Sequence, residues 1–232
     1  MRKYDAVLFD FDGTLYDTFP GIAKTLQHVL HEHYGREKQE DLDYFKLSIG
    51  PPLEWSFHDR FGLSDEDTQE AMKTFRAHYR EACIEGSELY EGMDDALRRL
   101  ESAGVALAIA SSKPNEMICR ILDADAMTET FKIISGLRSP DDHASKTVCI
   151  ERALEALGVP ESMPKHRVLM VGDRYYDAEG AQNAGLDFCA ALYAGFHSDG
   201  EFDPYPSVCS VKSPEEIADF VLGAEETVKS EE

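Results

Sequence analysis

The sequence predicts an α/β fold: a Rossmann-like parallel sheet with helices on both faces, plus an inserted α-helical cap domain. Three observations predict it. Residues 6–9 form a short apolar run, too brief and too uniformly apolar for an amphipathic helix, which suits a strand buried on both faces. From Tyr90 onward short apolar runs alternate with helical patterns, the rhythm of a parallel sheet covered on both sides. Between these two parts, residues 15–88 read as helices without a convincing strand. The expected division is therefore a core of residues 1–14 and 89–232 and a cap of residues 15–88.

The elements follow in chain order. After Thr18, the residues Ile22, Leu26, Val29, Leu30 and His33 fall on one helical face until Gly35 stops the pattern. Residues 46–53 contain Gly50-Pro51-Pro52, which demands a turn or loop. Residues 53–61 suggest a short helix ended by Gly62, and residues 65–84 a longer one with Met72, Phe75, Tyr79 and Cys83 along its packed stripe. In the core, a helix over 93–103 precedes an apolar strand over 105–110 that runs into Ser111-Ser112-Lys113-Pro114. Asn115 is expected to cap the next helix, through 122. A short strand over 132–135 and a helix over 146–157 follow. A buried strand over 167–171 then leads into Gly172-Asp173 and a small-residue helix to Ala184, with Gly185 behind it. Strands over 188–192 and 208–211 complete the sheet. Ser213-Pro214-Glu215-Glu216 joins a capping serine, a proline at the first helical position and acids in the first turn, so it opens a last helix through 222. The charged tail 224–232 is expected to fray.

Composition narrows the function classes. The 232 residues carry 23 Lys and Arg against 45 Asp and Glu, a formal charge of −22. Such a surface repels phosphate backbones and anionic headgroups, so nucleic acid polymers and membranes are excluded as partners. The cysteines, Cys83, Cys119, Cys149, Cys189 and Cys209, are odd in number and set mostly among apolar neighbours, and are expected to be reduced core residues. No signal peptide precedes the first strand, and no apolar segment approaches the ~20 residues that span a bilayer. A cytoplasmic protein is the expectation.

Chemistry gathers where strands end. In an open parallel sheet, ligands bind at the carboxyl edge. Asp10 and Asp12 follow the first strand, Ser111, Ser112 and Lys113 another, and Asp173 and Asp177 a third. Two acids one residue apart repel unless a cation or a shared proton holds them, and Mg²⁺ would do so. Gly13 is free to adopt backbone conformations that let main-chain N–H groups approach an anion. Thr14 can hold that turn through its hydroxyl.

The run Asp10-Phe11-Asp12-Gly13-Thr14-Leu15-Tyr16-Asp17-Thr18 resembles the first motif of the haloacid dehalogenase superfamily, with every fixed position present. Ser111 stands where that family's hydroxyl motif falls, and Gly172-Asp173-Arg174 with Asp177 resembles its fourth motif. The resemblance implies a helical cap over the site and an aspartyl-phosphate chemistry. Asp10 would be the nucleophile and Asp12 the general acid and base. Gly13, Thr14, Ser111 and Ser112 would bind the substrate phosphate. Mg²⁺ would be held by Asp10, by Asp12 through its backbone carbonyl, and by Asp173 and Asp177. Lys146, opening a helix after the third core strand, is the choice for the lysine that balances charge, with Lys113 the runner-up.

Asp12, absent from true dehalogenases, marks a phosphoryl-transfer member. The loop at 49–53 resembles that of phosphoglycolate phosphatases and related nucleotidases, with Ser48, Trp55 and Arg80 as candidate specificity residues. The expected function is Mg²⁺-dependent hydrolysis of a small phosphomonoester, phosphoglycolate-like or a nucleotide, by a monomer or homodimer. Its partner is a small phosphorylated metabolite, drawn in by local positive charge. Alternatives are a β-phosphoglucomutase-like transferase, a phosphonate hydrolase using Lys46, and a non-catalytic phosphate-binding protein. A receiver-like signalling module is disfavoured, because its acceptor acid lies on a later strand.

Overall fold

A computed structural model describes residues 2–139, 142–159 and 167–223, so the expectation for the tail 224–232 lies outside the described residues. In chain order, β1 (Ala6–Phe9) and β2 (Tyr16–Asp17) lead into α1 (Phe19–Tyr34). A 3₁₀ segment at Leu42–Ser48, α2 (Leu53–Trp55) with a π turn at Ser56–Arg60, and α3 (Asp65–Ala82) follow. Then come β3 (Glu88–Leu89), α4 (Met93–Ser102), β4 (Ala106–Pro114), α5 (Asn115–Ala124) and β5 (Ile133–Leu137). The chain continues through α6 (Lys146–Ala156), β6 (Val168–Gly172), α7 (Tyr175–Ala184), β7 (Asp187–Ala191), β8 (Cys209–Val211) and α8 (Pro214–Leu222).

Six of the strands form one sheet in the order β5-β4-β1-β6-β7-β8, and every pairing in it is parallel. Strand β1 lies inside this sheet, and all four of its residues are buried, as an uninterrupted apolar run requires. Alternate residues serve two cores. Val7, Phe9, Leu107, Ile109, Leu169 and Val171 join α4, α5 and α8 on one face. Leu8, Ala108, Met170 and Ala190 join the small residues Ala178 and Ala181 of α7 and Ile150 of α6 on the other. Burying each large side chain contributes roughly 1.5–3 kcal/mol, so the sheet's position is strongly determined.

Register carries the chemistry to one edge. Phe9 pairs with Ile109 on one side and Val171 on the other, which places Asp10 level with Ala110 and Gly172. Ser111 and Asp173 stand one residue beyond. Helices α1–α3 form the cap as an insertion after β1, with α1 packed on α3 and Phe45, Phe57, Phe61 and Phe75 meeting in its interior.

Four expectations need correction. Residues 15–88 are not wholly helical: β2 pairs antiparallel with β3, Tyr16 opposite Leu89 and Asp17 opposite Glu88. Two-residue strands carry no period that a sequence can display. Asn115 does not cap α5; its side-chain oxygen accepts from the Gly136 N–H at 2.6 Å and ties α5 to β5. His33 lies on the solvent side rather than in the α1 stripe, since the buried arc ends at Leu30. Cys189 and Cys209 are joined in a disulfide. They face each other in register on adjacent strands, with Cα atoms 4.8 Å apart, so the sheet itself brings together two thiols that sequence separation had made look unrelated. Cys83, Cys119 and Cys149 remain free.

Candidate active site

Asp10, Asp173 and Asp177 converge at the carboxyl edge of the sheet. Each is buried, and a carboxylate oxygen of each lies within 4.8 Å of the others. Asp10 extends from β1 and Asp173 from β6, while Asp177 sits in the first turn of α7 and accepts from the Arg174 N–H at 3.1 Å. Lys146 reaches into the same cluster from the first turn of α6. Its Nζ stands 2.7 Å from Asp10 Oδ1 and 2.8 Å from Asp177 Oδ1.

One lysine does not balance three acids. Burial first, and then the Asp177 and Asp10 charges, push the Asp173 carboxyl well above its usual range; burial and Asp10 raise Asp177 likewise. Burial alone would lower Lys146, but the charges of Asp10 and Asp177 outweigh it and raise its pKa. The cluster is therefore short of positive charge. Asp173 Oδ2 is buried without a hydrogen-bond partner, and the donor set is entirely carboxylate oxygen, the ligand type that hard divalent cations prefer. The residues fit such a cation.

Asp12 is built differently. Its carboxylate is not among the clustered oxygens; Oδ1 accepts from the Thr18 hydroxyl at 2.6 Å and from Lys113 Nζ at 2.7 Å. Lys113 is itself buried, and its second partner is the Tyr79 hydroxyl of cap helix α3 at 2.9 Å. Burial would lower the lysine, but Asp12 and Tyr79 outweigh it, so it too is raised. The two lysines thus divide the acids between them: Lys146 serves Asp10 and Asp177, and Lys113 serves Asp12.

Of the expected phosphate ligands, Ser111 is buried and its Oγ accepts from the Lys113 N–H at 3.2 Å, whereas Ser112 is exposed. The Thr14 hydroxyl is directed to Asp173 Oδ1 at 3.2 Å, so it orients an acid. Gly13 has φ +78, and a Cβ there would lie 2.4 Å from Asp173 Oδ2. Gly13→Ala should therefore cost about 1–3 kcal/mol from the left-handed backbone alone and displace Asp173 besides. Thermal melts with and without Mg²⁺ check this. A variant with the parental melting point and the parental Mg²⁺ response would refute it.

Sequence reasoning missed the contacts between cap and core. Tyr79 was read only as helix packing, yet its ring is buried while its hydroxyl reaches Lys113. Arg174 donates Nη1 to the Ile49 carbonyl of the cap loop and Nε to Glu201 at 2.9 Å. Gly50 leaves room for this, since a Cβ there would lie 2.7 Å from Arg174 Cγ. Only the Gly50-Pro51-Pro52 run hinted that this loop was special.

A parallel sheet whose strands β1 and β6 lead into buried acids, with an inserted helical cap, places the site at the carboxyl edge, where α/β enzymes bind their ligands. Residues 7–191 match the profile of the haloacid dehalogenase-like hydrolases, and the chain belongs to that family. The chain is 34% identical over 181 residues to tyrosine-protein kinase PtkA of Mycobacterium tuberculosis, a match covering 78% of this chain but only 60% of the length of the kinase. It is 30% identical over 199 residues to a 5'-nucleotidase of Pseudomonas aeruginosa, covering 86% of this chain and 87% of that protein. Among solved structures, that of a predicted phosphatase from Clostridium acetobutylicum superposes with a TM-score of 0.84 at 29% identity, over 95% of this chain and 99% of the other. No described helix is long and apolar enough to cross a membrane.

Proposed function

We propose that the protein is a Mg²⁺-dependent phosphatase that hydrolyses a small phosphomonoester, phosphoglycolate-like or a nucleotide, through an aspartyl phosphate on Asp10. The observation that carries this reading is the separation of two neighbouring acids into different environments. Asp10 is held with Asp173, Asp177 and Lys146, while Asp12 is held by Thr18 and Lys113. Paired carboxylates with divergent surroundings are suited to divergent roles.

An Asp10 carboxylate oxygen attacks phosphorus and the ester P–O bond breaks, with Asp12 giving its proton to the departing oxygen. Both Asp12 contacts fall on Oδ1, which leaves Oδ2 as the atom that carries the proton. Asp12 then takes a proton from water, the water oxygen attacks the phosphoryl group, and the Asp10 carboxylate and free phosphate are released. Lys146 stays against Asp10 throughout and offsets charge on the phosphoryl oxygens. Ser111 accepts its bond from the backbone, so its own proton remains available for a phosphoryl oxygen. Asp10, the Asp12 carbonyl, Asp173 and Asp177 would hold Mg²⁺, which would supply charge to neutralise the phosphate.

The nucleotidase, matched over most of its length, supports water as the acceptor. The kinase is matched over a smaller share of its length and supports the shared phosphoryl chemistry more than its acceptor. A phosphonate hydrolase would need a neutral amine in the cap, but Lys46 is engaged with Asp43 at 2.6 Å on the surface.

The test is phosphate release across phosphoglycolate, nucleoside monophosphates, sugar phosphates and pyrophosphate, in Mg²⁺, in chelator, and after Mg²⁺ is restored. Activity should vanish in chelator and return. Ca²⁺ should inhibit, because it prefers more oxygen ligands in a looser arrangement than Mg²⁺ does. Full activity in chelator, or release from no member of the panel, would end the proposal.

A further inference from the structure

Away from the acidic cluster, three histidines meet on the outside of the cap. His28 and His33 extend from α1 and His78 from α3; all three are exposed, and a ring nitrogen of each lies within 4.8 Å of the others. The His28 and His78 rings are centred 4.3 Å apart, and His33 lies 6.2 and 6.3 Å from them. The chain has only eight histidines, so three of them gathered on one helix pair form a concentrated set of imidazole donors. From this geometry we propose a second metal site, separate from the carboxylate site and selective for a borderline transition-metal ion of the Zn²⁺ class, which joins α1 to α3.

Donor chemistry sets the selectivity. Imidazole suits Zn²⁺, Co²⁺, Ni²⁺ and Cu²⁺ and has little affinity for Mg²⁺, which prefers the oxygens of Asp10, Asp173 and Asp177. Three histidines with water in the fourth position form a recurrent Zn²⁺ arrangement. Tetrahedral Zn–N bonds of about 2.1 Å place the nitrogens about 3.4 Å apart. The ring nitrogens lie within 4.8 Å of one another, and rotation about the two side-chain torsions of these exposed rings can bring them to that spacing. The strongly negative chain raises the local concentration of cations around such a site.

The fold gives the site a purpose. Helices α1 and α3 pack along the cap interior, and the trio takes two ligands from one helix and one from the other. An ion bound there is a cross-link between segments far apart in sequence, and it stabilises the folded cap by mass action.

Zn²⁺ titration of the full chain by calorimetry, in saturating Mg²⁺ to occupy the carboxylate site, tests the proposal. The parent should bind one equivalent more than the His28→Ala, His33→Ala, His78→Ala triple variant, and each single variant should weaken that step roughly tenfold or more. His31→Ala, on the same helix but engaged with the Arg36 carbonyl, should leave it unchanged. Zn²⁺ should raise the melting temperature of the parent and not of the triple variant, whose metal-free melt checks its folding. With Co²⁺ as probe, visible absorption bands of a nitrogen-ligated ion should appear only in the parent. Equal Zn²⁺ stoichiometry and affinity in parent and triple variant would overturn the proposal.

Discussion

Asp10→Asn is expected to reduce phosphate release by roughly a thousandfold or more while the protein stays folded. The amide keeps the shape of the carboxylate but is not a nucleophile, and losses of this order accompany removal of the group that forms a covalent intermediate. The fold should tolerate the change for an electrostatic reason. Asp10 contributes an ion pair with Lys146, yet its charge also helps push Asp173 and Asp177 above their usual range. Removing it relieves repulsion as it removes attraction, and Lys146 retains Asp177. Melts in metal-free buffer should therefore lie within a few degrees of the parent, and the stabilisation by Mg²⁺ should shrink. Activity within tenfold of the parent would remove Asp10 from the role of nucleophile.

That this residue could be singled out from sequence reflects where information lies in a parallel sheet. A strand buried on both faces must be apolar, so the first polar residue after it marks the edge, and Ala6 to Phe9 followed by Asp10 displays that edge plainly. The same logic located Ser111 and Asp173, because register between buried strands leaves no freedom to slip. What stayed hidden depends on contacts between distant segments. The Tyr79 hydroxyl reaches Lys113 only because α3 packs over β4's end, and an apolar stripe does not reveal where a phenol's tip goes. The Arg174 bond to Ile49 and the Cys189–Cys209 link are likewise products of the fold, with no local pattern in either partner. Strands β2 and β3 are too short to carry any period.

Lys146, paired with Asp10 and Asp177, and Lys113, paired with Asp12, stand in different environments that predict different phenotypes. Lys146→Met leaves Asp10 Oδ1 and Asp177 Oδ1 without their cationic partner in a buried cluster. Breaking a buried pair in this way costs roughly 3–5 kcal/mol, more in metal-free buffer than in Mg²⁺, which supplies replacement charge. The pH dependence has a definite sign. Lys146 is raised, so its stabilisation is complete below the ordinary lysine range and is lost only as the pH climbs through the raised value. Asp173 and Asp177 are also raised, so protonation favours the folded state as the pH falls through their range. Without the lysine Asp177 is raised above its parental value of about 7, so the stability gap between parent and Lys146→Met should narrow as the pH falls through that higher range toward 7, and should also narrow above the ordinary lysine range.

Catalysis separates the lysines further. Lys146 offsets charge on the transferring group, so its loss should cut kcat by about a hundredfold or more whatever the leaving group. Lys113 holds Asp12, which protonates the departing oxygen and later takes a proton from water, so its loss should slow the second step for every substrate and the first step only where the departing oxygen needs a proton. In the first turnover, followed as a burst, Lys113→Met should therefore release the alcohol of an aryl phosphate with a good leaving group at a rate near the parent and that of an alkyl phosphate far more slowly. A leaving-group dependence in Lys146→Met with none in Lys113→Met would exchange the two assignments.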